Sequence, residues 1–289
     1  MKYQFKIAAF AVICLFASVL SSCSKNDDPD TTTPPDNEPK GTAVMLATST
    51  TFGKVMTDSL GKTLYFFSLD ADGKSGCSGD CIAAWPIFYK EHLTIDSTLT
   101  AADFGVITRA DGSKQNTYKG WPLYYYAGDA KAGDITGDKV GDIWFVAKPD
   151  YTVMIAKFQL TGNNGVQYKS DLTPGTEATQ FITDAFGRTL YAFAPDKNGV
   201  NTYTKEDFSN NATWPIYELS DIQNVPSILS KSDFTKVTVF TKTQLAYKGW
   251  PLYYFGPDQQ TRGNTKGVSV PSPGVWPYVN ASTAVAPLP

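Results

Sequence analysis

Few side chains in this chain of 289 residues could carry covalent or metal chemistry, because it holds only four cysteines and one histidine. Cys77 and Cys81 flank the polar triplet Ser78-Gly79-Asp80, just ahead of Trp85-Pro86. In an oxidising compartment such a pair forms a disulfide, and closing so short a loop adds modest stability. Redox work would instead need a depressed thiolate pKa, yet Lys74 is the one close cation and Asp80 opposes it. A metal would need further ligands, and His92, the single histidine, stands apart in a stretch between repeats. The staple is the favoured reading; redox or metal handling by the pair stays open.

Two acidic loops offer oxygen ligands on alternate residues ahead of a glycine, as calcium loops do. They are Asp70-Ala71-Asp72-Gly73 and Asp196-Lys197-Asn198-Gly199. The glycine arrives too early for an EF-hand and no glutamate closes the frame, so Asp70, Asp72, Asp196 and Asn198 are weak calcium candidates. Plain turn chemistry explains the same residues, and no other cofactor is expected. Trp121 and Trp250, each between Gly and Pro, are the candidates for facing a ligand, with core packing as the competing account. The chain has no Gly-x-Ser-x-Gly elbow, no His-Glu-x-x-His and no phosphate loop, so it is expected not to be an enzyme. With 25 basic and 28 acidic residues its net charge of −3 argues against nucleic acid as a partner.

The elements that must position these residues are written into a repeat. The pattern Leu-Tyr-x-aromatic-x-x-Asp occurs four times. Its hallmark residues are Tyr65, Phe67 and Asp70; Tyr124, Tyr126 and Asp129; Tyr191, Phe193 and Asp196; and Tyr253, Phe255 and Asp258. Alternate residues point to opposite faces of a strand, so a run apolar at every position is a strand buried on both faces. The Asp just beyond it can accept N–H bonds from the following turn. A tryptophan follows each motif at a regular distance: Trp85, Trp144, Trp214 and Trp276. Residues 56–65 are echoed by 182–191, and residues 118–125 recur letter for letter as 247–254.

Alternation of the copies makes the pair of motifs the repeating unit, giving module 1 over residues 43–149 and module 2 over 150–289. Gly61 marks a hairpin between residues 54–58 and 63–67, and residues 103–109 open a second one. The stretch 160–176, rich in Gly, Asn and Thr, is expected to be an inserted loop. No sustained helical period appears after the N-terminus, and only 99–104 and 230–234 hint at short helices. The expected fold is all-β: two homologous tandem modules, each of two β-hairpin-rich repeats, as two small β-sandwich-like domains. The alternative is a single four-bladed, propeller-like closure.

The motif, with Cys77 and Cys81 ahead of Trp85-Pro86, resembles the bacterial lipoproteins known as the secreted repeat of unknown function. The resemblance spans nearly all of the folded part and implies no established activity. Module 2 departs from it in having no cysteines between Asn198 and Ala212.

The N-terminus fits that resemblance. Lys2 and Lys6 precede an apolar run that ends in Leu20-Ser21-Ser22-Cys23, the form of a secretory signal. The ending is similar to a lipobox, which implies lipidation of Cys23 after removal of the preceding segment. Residues 24–42, rich in Pro and Asp, read as a disordered tether. The expected address is the outer membrane, at the cell surface, anchored to the membrane through lipid on Cys23. The expected role is non-enzymatic binding of an extracellular glycan, protein or small molecule, or a structural one. The alternative is envelope redox or metal handling by Cys77 and Cys81 or the acidic loops.

Overall fold

The computed structural model describes residues 44–289. Cys23, with the signal and tether, lies outside the described residues. Module 1 begins with the antiparallel hairpin of β1 (Met45–Ser49) and β2 (Gly53–Thr57). It continues with β3 (Tyr65–Phe67), β4 (Phe104–Thr108), β5 (Lys114–Tyr118), β6 (Trp121–Tyr124) and β7 (Trp144–Val146). Module 2 holds β8 (Val153–Thr161), β9 (Gln167–Tyr168), β10 (Ala178–Asp184), β11 (Phe234–Val239), β12 (Lys242–Tyr247) and β13 (Trp250–Pro251). The one α-helix among the described residues, Asp80–Ala84, is a short turn that begins at the end of the cysteine loop and runs past Cys81. The chain is all-β, in several separate small sheets with no closed barrel.

The motif segments lie at the centre of each module, as strands β3 and β6 in module 1 and as isolated bridges at Tyr191 and Tyr253 in module 2. In module 1 the sheet order is β4-β5-β6-β3-β7, and Tyr65 is the register partner of Tyr124. β7 flanks Tyr65, while Ile87 bridges to Tyr124 on the other side. Each tyrosine strand is therefore flanked by the tryptophan-led segment of the opposite half. Module 2 repeats the plan: Tyr191 and Tyr253 exchange two backbone hydrogen bonds of 2.9 Å, with Tyr278 and Ile216 as the outer neighbours. The two halves of a module are related by a local pseudo-twofold and exchange strands across it. The tyrosine segments find their backbone partners only when both halves are present.

The tandem modules expected from the sequence are present, and they share a core. One apolar cluster joins Leu64, Phe66 and Trp121 of module 1 to Met154, Phe181 and Tyr191 of module 2. A second joins Phe145 to Val153, Ile155 and Ile182. Three local expectations change. The hairpin expected between 54–58 and 63–67 reduces to one bridge, Thr57 to Thr63, because β2 pairs with β1 and β3 with β6 and β7. The stretch 160–176 carries β9, paired back onto the end of β8 through Leu160 and Tyr168. Gly165, at φ +75°, supplies the left-handed turn that lets the chain fold back. The two weak helical signals are single 3-10 turns, Ala101–Asp103 and Lys231–Asp233, each leading into a strand.

Candidate functional site

The hallmark residues of the repeat meet one another across the pseudo-twofold. Tyr65 donates its hydroxyl to Asp129 at 2.7 Å, and Tyr124 donates to Asp70 at 2.6 Å. In module 2, Tyr191 donates to Asp258 and Tyr253 to Asp196, both at 2.7 Å. Each tyrosine thus pairs with the aspartate of the other half, never with its own. The second carboxylate oxygen ties down the loop that follows. Asp70 accepts Gly76 N at 2.7 Å, Asp129 accepts Thr136 N at 2.8 Å, Asp196 accepts Thr202 N at 2.7 Å and Asp258 accepts Lys266 N at 2.9 Å. One side chain closes its own loop and latches the opposite half.

Burial sets the electrostatics of these latches. It pushes the Asp70 carboxyl up to about 7, against hydrogen bonds from Tyr124 and Gly76 that favour the anion. Burial likewise raises Asp258 to about 6 and Asp196 above the usual carboxylate range. Tyr65, Tyr124, Tyr191 and Tyr253 are all raised, first by burial and then by the facing carboxylates, so the phenols remain protonated donors.

The aromatic hallmark and the regularly spaced tryptophans complete the motif. Trp85 and Trp144 stack at 3.8 Å between ring centroids, with Phe67 on Trp144 at 4.0 Å and Tyr126 on Trp85 at 4.3 Å. Trp214 and Trp276 stack at 3.7 Å in module 2, covered by Phe255 at 4.3 Å and Phe193 at 4.4 Å. Four rings run through the heart of each module, two from each half. The repeat signature thus packs the centre of each module, with the outer rings of Tyr126 and Phe193 only partly buried.

Cys77 and Cys81 form a disulfide with a Cα–Cα distance of 5.4 Å, within the usual range. Cys77 is 1% exposed and packs in the cluster around Trp85 and Trp144. Relative to the motif aspartate and the tryptophan, Tyr203 and Asn210 stand in the places of Cys77 and Cys81. Asn210 Nδ2 donates to Tyr203 O at 2.6 Å, and the Tyr203 ring meets the edge of Trp276 at 4.7 Å. A hydrogen bond spans in module 2 the loop that a disulfide closes in module 1. His92 is exposed in a turn.

The acidic-loop residues are otherwise engaged. Asp70 and Asp196 use both oxygens as described above, Asp72 accepts Lys74 N at 2.9 Å, and Asn198 packs against Gly249. Among the described residues no three His, Cys, Asp or Glu side chains gather as a metal site requires. The candidate Trp121 is not open to a ligand: it is 1% exposed, its indole N–H reaches Ala185 O at 3.1 Å, and Arg262 lies 4.6 Å from its ring centroid. Trp250 is half-buried and donates to Ala284 O at 2.9 Å. Two identical octapeptides thus hold their tryptophans against other parts of the chain, Trp121 buried and Trp250 half-buried.

Open concave surface lies elsewhere, in module 2. A cleft of about 580 Å³ is lined by Arg188, Asn211, Phe255, Asp258, Gln259 and Gln260. Asp184 holds Arg188 in place through its Nε and Nη2. The guanidinium also lies 4.8 Å from the Tyr254 ring centroid. Gln259 and Gln260 stand on left-handed backbone, at φ 53° and 55°, a conformation uncommon for residues with a side chain. Asn211 Oδ1 is buried with no hydrogen-bond partner. Apart from the motif residues Phe255 and Asp258, the residues of this cleft carry no sequence signature. The only hint was the extra length of module 2 after its last motif aspartate.

Residues 47–88 and 105–148 match, as successive copies, the family model described as a secreted repeat of unknown function. Those stretches are the two halves of module 1; module 2 repeats their geometry without matching that model. No curated protein and no solved structure matches the chain. The description as secreted accords with an extracellular or envelope location. Among the described residues no helix is long and apolar enough to cross a membrane.

Proposed function

We propose that this chain, whose module 1 belongs to the secreted-repeat family, is a non-enzymatic binding protein of the cell envelope. In this reading lipid on Cys23 holds it at the outer surface, and the module 2 cleft takes a hydroxyl-rich ligand, a saccharide. The observation that carries it is the cleft's chemistry. Its volume of about 580 Å³ suits a small ligand. Its lining offers side-chain amides from Asn211, Gln259 and Gln260, which exchange hydrogen bonds with hydroxyls and do not turn a substrate over, beside a guanidinium already held by Asp184 and Gln260. The Asp258 carboxyl is already committed to Tyr191 and Lys266 N. Asn211 Oδ1 is an acceptor without a donor, and a buried unpaired acceptor costs about 1–3 kcal/mol. The atom is shielded from the cleft, so a sugar hydroxyl would recover that cost once the Asn211 side chain turns outward.

A thermal-shift screen of the chain from Ser24 onward, against neutral and acidic oligosaccharides, cell-wall fragments, calcium and chelator, tests this. A saccharide that binds the folded state adds about 2.7 kcal/mol at a hundredfold excess over its Kd. Asn211→Leu, which removes the amide and its orphan acceptor from the cleft wall, should abolish the shift. A shift with calcium alone, reversed by chelator, would sink the saccharide reading and return the acidic loops to consideration.

A further inference from the structure

The two identical octapeptides use one corner, Lys-Gly-Trp, to hold different segments of the chain. In module 1 the corner is residues 119–121, and it receives the turn 184–188 of module 2. Trp121 Nε1 donates to Ala185 O at 3.1 Å, and Lys119 Nζ lies 5.6 Å from the Phe186 ring centroid. Arg262 pegs this joint, donating to Ala71 O at 2.9 Å and to Lys119 O at 3.0 Å. In module 2 the corner is residues 248–250, and it is covered by residues 281–287. Trp250 Nε1 donates to Ala284 O at 2.9 Å, the bond Trp121 makes to Ala185. Lys248 Nζ donates to Ala281 O at 2.8 Å and Thr283 O at 3.0 Å, and Ala286 N returns a bond to Lys248 O at 2.9 Å. Ala286 is 3% exposed. Asn198 fills the place of Arg262: a Cβ added to Gly120 would meet Arg262 Nη1 at 2.0 Å, and one added to Gly249 would meet Asn198 at 2.6 Å.

The partner that fits such a corner also exists in a free form. The turn 58–62 of module 1 is the counterpart of 184–188. Asp58 accepts Leu60 N and Lys62 N at 2.9 Å, as Asp184 accepts Phe186 N at 2.9 Å and Arg188 N at 3.0 Å. Leu60, at the position of Phe186, is 68% exposed.

We propose that the Lys-Gly-Trp corner is a docking face for the turn of a secreted-repeat module, and that residues 281–287 cover the second such face. Once uncovered, it takes the turn 58–62 of a second copy of this chain. Face and turn are different surfaces of one molecule, so the contact is heterologous and propagates head to tail. Ala132, packed on Gly61 as Arg262 packs on Gly187, leaves this joint without its arginine peg. The intermolecular joint is therefore weaker than the internal one and appears with rising concentration.

Sedimentation velocity over a hundredfold concentration range tests this on the full chain, on a chain lacking residues 282–289, and on Ala286→Glu. Both altered chains should melt cooperatively and form a concentration-dependent ladder of oligomers. Adding Leu60→Glu, or a peptide of residues 281–289 in trans, should return them to the behaviour of the full chain. The proposal fails if the altered chains stay folded and show no added association, or if Leu60→Glu leaves that association intact. It fails equally if both altered chains lose their melting transition, because residues 281–287 would then be core and not a cover.

Discussion

Trp144→Ala should cost the chain about 3–5 kcal/mol, the range for emptying a buried tryptophan site. The ring is buried between Trp85 and Phe67 at 3.8 and 4.0 Å, with the edge of Tyr124 at 5.1 Å. Its loss leaves a flat void that neighbouring rings cannot fill without leaving their own partners. Set against a typical total of about 5–15 kcal/mol, that is enough to unfold a large share of molecules on modest warming. Urea titration followed by far-UV circular dichroism reads it directly. Trp85→Ala in the same background should add much less than it does alone, because the two rings act as one stack and coupled neighbours are non-additive by about 0.5–3 kcal/mol. Full additivity of the two substitutions would show that the stack contributes as separate rings.

Asp70→Ala should be the next most damaging change, at about 2–4 kcal/mol, because it strips the acceptor from two buried donors. Those donors are the Tyr124 hydroxyl and Gly76 N–H. The same carboxyl gives the chain an unusual pH dependence. The unfolded chain releases this proton near pH 4, whereas burial holds the folded pKa up to about 7 at Asp70 and about 6 at Asp258. Between those values the folded state binds more protons than the unfolded one. Stability is therefore fullest at and below pH 4 for these two groups, and it falls as pH rises through 6 and 7, by about 1.4 kcal/mol per unit for each carboxyl inside its window. Melting temperatures should drop from pH 5 to pH 8, and Asp70→Asn should flatten part of that slope while costing less at pH 8 than at pH 5. A melting temperature that rises over the same range would mean that the hydrogen bonds to the anion outweigh burial.

Much of this architecture is legible in the chain itself. The fourfold Tyr-x-aromatic-x-x-Asp run, apolar on both faces, can only be a strand in the middle of something. The Asp-x-x-Gly signals at 58–61 and 184–187 mark turns whose aspartates do accept the turn N–H groups. Those are local properties, set by side-chain alternation and by hydrogen bonds between residues a few positions apart. The repeat of whole modules is likewise plain, since residues 118–125 and 247–254 are the same letters.

What the letters do not carry is the identity of partners far along the chain. Tyr65 and Asp70 sit in one motif, and a local reading assigns that aspartate to its own turn. The fold gives Asp70 to Tyr124 as well, and Tyr65 to Asp129, because antiparallel pairing of β3 with β6 brings each strand end beside the other half's loop. The two Lys-Gly-Trp corners are the sharpest case. Identical sequence starts a strand at each tryptophan, four residues long in β6 and two in β13, but what covers each tryptophan depends on the segment the rest of the chain delivers there: the turn 184–188 for Trp121, residues 281–287 for Trp250. The cleft arises in the same way, from loops whose spacing only packing defines. Sequence determined the strands, the turns and their repetition, since short-range sterics and hydrogen bonding act within a few residues. Tertiary structure decided which tyrosine holds which aspartate, which rings stack and which surfaces remain open, because those depend on contacts that form only when the modules close on each other.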